Sequence, residues 1–355
     1  MKSSYLKRRE KVRQKLTEEK LDALLVSYPT NRFYLSGFEL HDGQCNESSG
    51  HILIQKNGKD ILFTDSRFYE AAKSLWDKEN IIIYSNQLED IRAFLKDTVH
   101  GKIGFESKII SHHFYEHLSQ GMNFEPCNGL IEELRVIKDE TEIQALKDSV
   151  ALNHQLFAWL PSIFETGKSE TDLALEIEFF FRKHGATENS FPPIVAINKH
   201  AARPHHIPDP NTKLIENCHI LIDVGARYHG YCSDQTRTFW FGKTIDPRFQ
   251  SMLEQVQEAQ QEAIKILAPG VLCSEAHLTA CKIFEKYGVE KAFTHSLGHG
   301  VGLDTHEEPR LSLRSKRLLQ PNMIVTVEPG LYYGDYGGIR WEYMVRITED
   351  GCEVL

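Results

Sequence analysis

The stretch 221–238, LIDVGARYHGYCSDQTRT, constrains the fold of this chain more than any other part of the sequence. A short apolar run ends in Asp223, a turn bounded by glycines follows, and a second strand-like run carries Asp234. This pattern predicts a β-hairpin with one carboxylate on each strand. Two neighbouring carboxylates repel each other, so a fold keeps such a pair only with positive charge between them or a proton on one. A metal ion is the expected occupant, although two exposed aspartates at strand ends would give the same spacing.

The closing segment 323–347, MIVTVEPGLYYGDYGGIRWEYMVRI, repeats this arrangement with glutamates. A strand runs into Glu328, a Pro-Gly pair turns the chain, and a second strand that begins near Gly338 carries Glu342. Buried carboxylates without a partner are very costly. Four acids on two hairpins therefore predict a cation site.

A glycine-rich segment, THSLGHGVGLDTHEEPRLS at 294–312, supplies a histidine for that site. His299 lies between two glycines, which lack side chains where a backbone must approach something closely. We interpret His306 as lying seven residues later on the same extended segment. The segment has neither the Lys-Ser/Thr ending of a P-loop nor the GxGxxG spacing, so a coordinating histidine is favoured over a phosphate site.

Five ligands of this kind, mostly hard oxygens, favour Mn²⁺ or Co²⁺ over a thiolate-loving metal, and Zn²⁺ stays possible. Shared carboxylates would allow two ions about 3.5 to 4 Å apart, an arrangement that activates a water molecule. A proline-rich segment at 190–208 adds His200, His205 and His206. Most histidines of such a segment are expected to be surface-loop residues.

The length of 355 residues suits two domains. In the first 125 or so residues, strands that include 33–36 alternate with helices, which predicts an α/β layer. The charged stretch 132–142 marks a joint, and we divide the chain into domains 1–128 and 129–355. After the joint we expect a helix at 140–160 and another that Ser169 and Asp172 cap, with the run 179–181 in the core.

Composition excludes several classes of partner. The net charge of −9 argues against nucleic-acid binding, and no apolar stretch approaches the ~20 residues of a membrane span. The N-terminus lacks a secretory signal, and we expect a first helix there. The seven scattered cysteines form no Cys-x2-Cys pair, which argues against disulfides or a structural zinc site and favours the cytoplasm. They are Cys45, Cys127, Cys218, Cys232, Cys273, Cys281 and Cys352.

Five separated motifs carry a resemblance to a known family: PHH at 204–206, DVG with GYCSDQTRT, SLGHGVGLDTHEEPRLS, VEPG and GGIRWE. In this order they resemble the catalytic domain of the M24 metallopeptidases, the pita-bread fold. The stretches LDALLVSYPTNRFYLSGF and FTDSRF are similar to the creatinase-like N-terminal domain of the Xaa-Pro branch, prolidase and aminopeptidase P. The resemblance implies an α/β (α+β) protein, a creatinase-like domain followed by a pita-bread domain.

The resemblance also implies a ligand set for two divalent metal ions, with Mn²⁺ favoured. Asp223 would bind one ion, and His299 and Glu328 would bind the other. Asp234 and Glu342 would bridge both. A bridging water or hydroxide would attack the carbonyl before proline, with Glu328 as the proton shuttle.

Four further residues would serve a proline-containing peptide substrate. His205 and His306 would contact the substrate and stabilise the tetrahedral intermediate. Arg310 and Arg340 would bind the substrate carboxylate or hold Glu342 in place. The implied activity is removal of the N-terminal residue from Xaa-Pro peptides by a homodimeric Xaa-Pro aminopeptidase or Xaa-Pro dipeptidase.

Two residues depart from the family pattern without removing a ligand. Gln235 stands where an aliphatic residue is usual, and Tyr343 follows Glu342 where an acid is common. Both concern the groups that orient the ligands. Three alternatives stay open: a non-catalytic peptide-binding protein on this scaffold, a creatine amidinohydrolase, or another M24-type hydrolase such as a methionine aminopeptidase. The complete ligand set and the long N-terminal region disfavour them.

Overall fold

A computed structural model describes residues 2–42 and 47–355. Contacts divide the chain into two compact units, an N-terminal unit that ends at Leu134 and a C-terminal unit that begins at Arg135. The domain boundary after residue 128 stays a prediction. Cys45 lies outside the described residues, and the other six cysteines are free. Among the described residues, no helix has the length and apolar character that crossing a bilayer requires.

The N-terminal unit is built on one mixed sheet of six strands in the order β4-β3-β2-β1-β5-β6. Strand β1 is parallel to β5 and antiparallel to β2. The strands are β1 Ala23–Val26, β2 His51–Gln55, β3 Ile61–Thr64, β4 Ile81–Ile83, β5 Lys102–Phe105 and β6 Asn123–Pro126. The helices are α1 Lys2–Glu18, α2 Pro29–Ser36, α3 Tyr69–Leu75, α4 Gln87–Thr98 and α5 His112–Leu118. Helix α6, Leu130–Val136, contains the point of division between the units.

The strand predicted at 33–36 is wrong, because these residues complete helix α2. Pro29 occupies the first turn of this helix, where its fixed φ is already helical and its missing N–H costs nothing. Gly37 then ends the helix in the left-handed region, with φ of 75°. The aromatic residues between Pro29 and Gly37 favour a strand by residue type alone, but the proline and the glycine mark the two ends of a helix.

The C-terminal unit combines four small sheets with four long helices. Its helices are α7 Glu140–Trp159, α8 Glu170–Lys183, α9 Pro247–Lys265 and α10 Cys273–Tyr287. Its first strands are β7 Glu188–Asn189, β8 Ile194–Ile197, β9 Cys218–Val224, β10 Ala226–Tyr228, β11 Tyr231–Cys232 and β12 Gln235–Phe241. The later strands are β13 Gly298–Gly300, β14 Glu307–Leu311, β15 Ile324–Val327, β16 Gly330–Tyr333, β17 Gly337–Arg340, β18 Tyr343–Ile347 and β19 Cys352–Val354.

Two layers of helix on sheet form the core of this unit. Helices α9 and α10 pack their apolar faces, including Val256 and Phe284, against Val325 and Val345 of the five-stranded sheet β14-β13-β15-β18-β19. Helices α7 and α8 cover the sheet β12-β9-β8 in the same way. Residues on or next to such packed strands are positioned more precisely than residues on long loops.

Helix α8 begins as the sequence predicts. Ser169 and Asp172 form a capping box, in which each side chain accepts a hydrogen bond from the other residue's backbone. Phe180 and Phe181 are buried, but Phe179 is 66% exposed, so the predicted burial of the whole run is wrong. Three consecutive helical residues cannot all face one layer, because each turns about 100° from the last.

Candidate metal centre

The structure brings together the five side chains that the sequence selects as metal ligands. Ligand atoms of Asp223, Asp234 and Glu342 all lie within 4.8 Å of one another, and so do those of His299, Glu328 and Glu342. The shared glutamate joins the two groups. A third group of the same size contains Asp234, His299 and His306, which extends the cluster toward a second histidine.

The strand pairs that carry the acids differ in detail from the predicted hairpins. Strands β9 and β12 are antiparallel, but β10 and β11 form a further hairpin between them, and Asp234 precedes β12 instead of lying on it. Strands β15 and β18 pair Val327 with Tyr343, so the neighbouring Glu328 and Glu342 meet just beyond the strand ends. Loop backbone at a strand end can turn both carboxylates toward one point.

A single backbone hydrogen bond connects the two pairs of acids. The N–H of Glu342 donates to the carbonyl of Thr236 at 3.2 Å. In the same place the Thr236 hydroxyl donates to the Glu342 carboxylate at 2.8 Å. The carboxylates of both sheets are therefore fixed relative to each other.

His299 and His306 meet because the chain reverses between them. Strands β13 and β14 are antiparallel, so the prediction of one extended segment is wrong, and the two rings lie 4.3 Å apart. The Nε2 of His299 lies 3.2 Å from Glu328 Oε1 and 3.6 Å from Asp234 Oδ2. Glycine is required on both sides of this histidine: a Cβ on Gly298 would lie 2.0 Å from a backbone oxygen, and one on Gly300 2.2 Å.

Negative charge exceeds positive charge in this cluster. Burial, together with the neighbouring carboxylates, raises the pKa of Asp234 and of Glu342 well above their ordinary values. Burial alone would raise the pKa of Glu328, but the hydrogen bond to His299 and the positive charges of His299, His295 and Arg340 together outweigh it and lower this pKa to about 2. Without a cation, the cluster must therefore hold protons on part of its carboxylates.

Two carboxylate oxygens of the cluster are buried without a hydrogen-bond partner among the described residues. They are Asp223 Oδ1 and Glu342 Oε1. Leaving a buried acceptor unpaired costs about 1 to 3 kcal/mol, and more for a charged group. A divalent cation would satisfy both atoms, so the donor set of four carboxylates and one imidazole fits the group that the sequence predicts.

Arg340 supplies the main fixed positive charge of this region. Its Nη2 donates to Asp223 Oδ2 at 2.7 Å, and its Nε donates to the Thr236 hydroxyl at 2.9 Å. Its Nη1 donates to the Tyr332 hydroxyl at 2.8 Å. Arg340 thus contacts Asp223 directly and is connected to Glu342 through Thr236. These contacts are the ones that holding Glu342 in place would require.

The cluster forms one wall of a cavity of about 690 Å³. His205, His306, Arg310 and Arg340 all contribute to its lining, whereas His200 does not. The remaining wall is largely apolar and rich in proline, and it includes Phe191, Pro192, Pro193, Ile194, Pro204, Ile207 and Pro208. Burial and the neighbouring His299 lower the pKa of His306, which favours its neutral form.

The two departures from the family pattern have identifiable contacts. The Gln235 amide lies 3.2 Å from His154 Nε2, and its oxygen is buried without a hydrogen-bond partner among the described residues. The Tyr343 ring lies beneath the guanidinium of Arg237, whose carbon is 4.1 Å from the ring centroid. Arg237 also donates to the backbone carbonyl of Glu342. In this chain an aromatic contact thus holds the arginine that supports Glu342.

Several residues of the site were missed by the reasoning from sequence. Tyr332 and Thr236 carry the hydrogen bonds of Arg340, and His295 lines the cavity and bonds to Tyr332 at 2.9 Å. Each lies within four residues of a predicted ligand. That proximity is the one signal that could have indicated them.

Family models match almost the whole chain. The model of Metallopeptidase family M24 matches residues 144–349, and that of the Creatinase/Prolidase N-terminal domain matches residues 8–137. The Xaa-Pro dipeptidase of Pyrococcus furiosus is 31% identical over 353 residues, which cover 98% of this chain and 97% of that protein.

Solved structures are similar over the same length. An Xaa-Pro dipeptidase from Bacillus anthracis has a TM-score of 0.92 at 32% identity, covering 99% of this chain and 97% of that one. An X-Pro aminopeptidase from Thermotoga maritima has a TM-score of 0.85 at 30% identity, covering 94% of each chain. Both kinds of named activity therefore occur among proteins that are similar to this chain.

Proposed function

The chain belongs to metallopeptidase family M24, and on that premise we propose that it hydrolyses the peptide bond before proline and releases the N-terminal residue of Xaa-Pro peptides. One observation carries the proposal: a cluster of carboxylates with unpaired buried oxygens lies in the wall of a cavity lined by proline and histidine. The relatives named as Xaa-Pro dipeptidase and X-Pro aminopeptidase support the choice of bond.

Asp223, Asp234, His299, Glu328 and Glu342 are the proposed ligands of two divalent ions. Their oxygen-rich donor set favours Mn²⁺, with Co²⁺ and Zn²⁺ as the competing ions. When bound, such ions polarise the scissile carbonyl and lower the pKa of a water molecule. The unpaired oxygens of Asp223 and Glu342 support this assignment.

Glu328 is the proposed carrier of the proton. It lines the cavity, and its Oε1 is 3.0 Å from the Thr326 hydroxyl and 3.2 Å from His299 Nε2. As a carboxylate at the cavity it can accept a proton from the attacking water. It then passes this proton to the departing proline nitrogen, which needs one to leave as an amine.

His205 and His306 are the proposed donors to the substrate oxygen. Both line the cavity, and a neutral imidazole can donate one N–H to the oxyanion of the tetrahedral intermediate. Arg310 lies exposed at the cavity, where its guanidinium can pair with the carboxylate of a short peptide. Arg340 is better placed to hold Asp223, because three of its nitrogens already donate to protein oxygens.

The apolar wall gives a physical reason for proline in the substrate. The bond before proline has no N–H on the proline side, so an enzyme cannot bind the substrate through a hydrogen bond from that nitrogen. Phe191, Pro192 and Ile194 instead offer apolar surface to a pyrrolidine ring. Hydrolysis of this bond therefore depends on shape and apolar contact more than on backbone pairing.

The assembly and location of the protein are also proposals. We place it in the cytoplasm, which the six described free cysteines support. We propose a homodimer, and the exposed Leu175 and Phe179, one turn apart on α8, support a covered apolar face. Light scattering after gel filtration checks the dimer, since the monomer has a mass of 40.8 kDa.

Hydrolysis of two matched peptides tests the proposed reaction. The protein is stripped of metal, supplied with Mn²⁺, Co²⁺ or Zn²⁺, and assayed with Ala-Pro and Ala-Pro-Ala. We expect release of alanine that returns with metal and is lost in Asp234→Asn. The ratio of the two rates separates a dipeptidase from an aminopeptidase. Binding of either peptide without cleavage under any metal would contradict the proposal and favour a peptide-binding protein on this scaffold.

A further inference from the structure

Glu170 is a fully buried carboxylate that lies outside the metal centre, at the first residue of helix α8. Two backbone N–H groups donate to it, from Ile197 at 2.7 Å and from Asp209 at 2.9 Å. Two imidazoles also contact it, with His200 Nδ1 at 2.9 Å and His206 Nε2 at 2.7 Å. One buried side chain thus gathers four donors from one short stretch of the chain.

These four donors bracket the loop 197–209, which contains His205. Ile197 precedes the loop's short 3-10 turn at 198–202, and Asp209 follows the two adjacent histidines, His205 and His206. The loop is confined on another side by strand β17. A Cβ on Gly337 would lie 2.3 Å from the carbonyl oxygen of Asn198, and one on Gly338 would lie 2.1 Å from that of Ala201. The loop backbone is therefore held between Glu170 and the strand that ends in Arg340.

Glu170, His200 and His206 have the chemistry of metal ligands, but their contacts are those of a hydrogen-bonded anchor. The separations of 2.7 Å and 2.9 Å are hydrogen-bond lengths, and both carboxylate oxygens already accept a backbone N–H. Each oxygen is satisfied, in contrast to the unpaired oxygens of the metal centre. An ion here would have to displace these donors.

We propose that Glu170 is a positioning residue, which fixes the loop 197–209 so that His205 faces the cavity at the metal centre. His206 is tied to the anchor through its ring, and the preceding residue, His205, is exposed and lines the cavity. The inference rests on the proposed function, because it gives His205 a substrate to contact. A donor displaced by about 1 Å loses roughly 100-fold in rate, so an anchor at this position matters for catalysis.

Hydrogen exchange tests the anchor itself. Glu170→Gln keeps the size of the side chain but replaces one acceptor oxygen with an NH₂ group, so at least one backbone N–H loses its acceptor. We expect amides in peptides covering 197–209 to exchange about tenfold faster or more, while peptides covering 223–238 do not change. Glu178→Gln is the matched control, since Glu178 lies on the same helix and is 45% exposed. Unchanged exchange at 197–209 would overturn the proposal.

A double-mutant cycle with His205→Ala tests whether the anchor acts through His205. We expect Glu170→Gln to lower kcat about tenfold or more, with a much smaller change in KM, and to cause no further loss when His205 is already alanine. An equal loss in both backgrounds would overturn the proposal, because it would show a general effect on the fold. Metal content of each variant, measured directly, is expected to equal that of the wild type.

A milder variant covers the case in which Glu170→Gln does not fold. His200→Ala removes one donor whose side chain is 28% exposed, so we expect a loss of about threefold that is absent from the His205→Ala background. A wild-type protein that hydrolyses no Xaa-Pro peptide would overturn the proposed function and the catalytic part of this inference together. An active wild type with equal losses in both backgrounds would overturn this inference alone.

Discussion

Two clusters of buried charge in the C-terminal unit differ in how their charges are balanced. In the metal-centre cluster, four carboxylates face one fixed arginine and one histidine. In the second, which we call the salt-bridge cluster, the cations Arg135 and Lys138 match the acids Asp304 and Glu307. Arg135 contacts both acids, and the Asp304 N–H donates to Glu307 at 2.9 Å. Both clusters combine aspartate and glutamate with an arginine.

The pKa values of the acids record this difference. Burial raises the pKa of Glu307, but Arg135 and Lys138 outweigh it, so the pKa of this carboxyl lies below its ordinary value. In the metal-centre cluster, burial and repulsion act together, so the pKa of Asp234 rises instead. A buried acid that is paired with cations of the chain is thus stable as an anion. Acids in excess of the neighbouring cations can all be ionised only when a cation from outside the chain binds.

We expect the largest effect when an acid of the metal-centre cluster is replaced, and the quantity affected is the catalytic rate. We expect Asp234→Asn to lower kcat/KM for Ala-Pro roughly 1,000-fold or more, because metal ions contribute several kcal/mol of transition-state stabilisation. Steady-state kinetics with saturating Mn²⁺ measures this. Lys183→Gln, at an exposed position of α8, is a suitable surface control. Retention of more than a tenth of the wild-type activity would mean that the excess charge does not serve catalysis.

The next effect is on stability, and its sign differs between the clusters. We expect Glu307→Gln to destabilise the metal-free protein by about 3 kcal/mol, because it removes the negative charge that both buried cations, Arg135 and Lys138, contact. Asp234→Asn in the same metal-free protein is expected to stabilise by about 1 kcal/mol, because it removes one of several repelling acids. Urea unfolding of both variants, followed by circular dichroism, gives the free energies. Loss of stability of the same sign in both would erase the distinction between the clusters.

A smaller effect concerns the residue that supports Glu342. Arg237 lies between aromatic rings and donates to the Glu342 carbonyl, so a lysine cannot reproduce both contacts. We expect Arg237→Lys to weaken metal binding about tenfold, the size usual for groups that orient ligands. Competition with a fluorescent chelator measures the affinity. If the affinity is unchanged, the aromatic contact at Tyr343 is packing without influence on the metal centre.

The smallest effect is the dependence of these stabilities on pH. The pKa of Asp234 is raised in the folded metal-free protein, so its contribution to stability is present below the ordinary value of 3.8 and is lost as the pH rises through the folded value. The pKa of Glu307 is lowered, so its contribution is present above the ordinary value of 4.5 and is lost as the pH falls.

Unfolding curves between about pH 4 and pH 8 test this pair of opposite dependences. The stability advantage of Asp234→Asn over the metal-free wild type should grow with pH. The deficit of Glu307→Gln should shrink toward acid pH. Parallel curves for wild type and either variant would refute the assigned direction for that acid. Added Mn²⁺ provides the control, because it should remove the advantage of Asp234→Asn.

The comparison also shows what could be predicted from the sequence. The five proposed ligands could be selected from residue type and spacing, because each lies in a short motif with a turn beside it, and the structure brings their side chains together. The way they meet was predicted less well: Asp234 and Glu342 precede their strands, and His306 returns through a turn. Alternation of residues shows that a strand is present but not where pairing begins.

The supporting contacts could not be predicted, because they join distant parts of the chain. Glu170 meets residues 27 to 39 positions later, and Glu307 meets Arg135 from 172 positions away. A lone glutamate at the start of a helix resembles a favourable charge at the helix terminus and nothing more. The strand predicted at 33–36 failed for a local reason, since Pro29 and Gly37 delimit a helix there.

Calorimetric titration of the metal-stripped protein with Mn²⁺ tests most directly whether the excess charge is a cation site. We predict binding of two ions per chain, with release of protons from acids whose pKa is raised in the metal-free state. Asp234→Asn should bind more weakly and release fewer protons, while Glu307→Gln should bind as the wild type does if it folds. No binding by the wild type, or equal binding by Asp234→Asn, would contradict the assignment of this cluster as a metal centre.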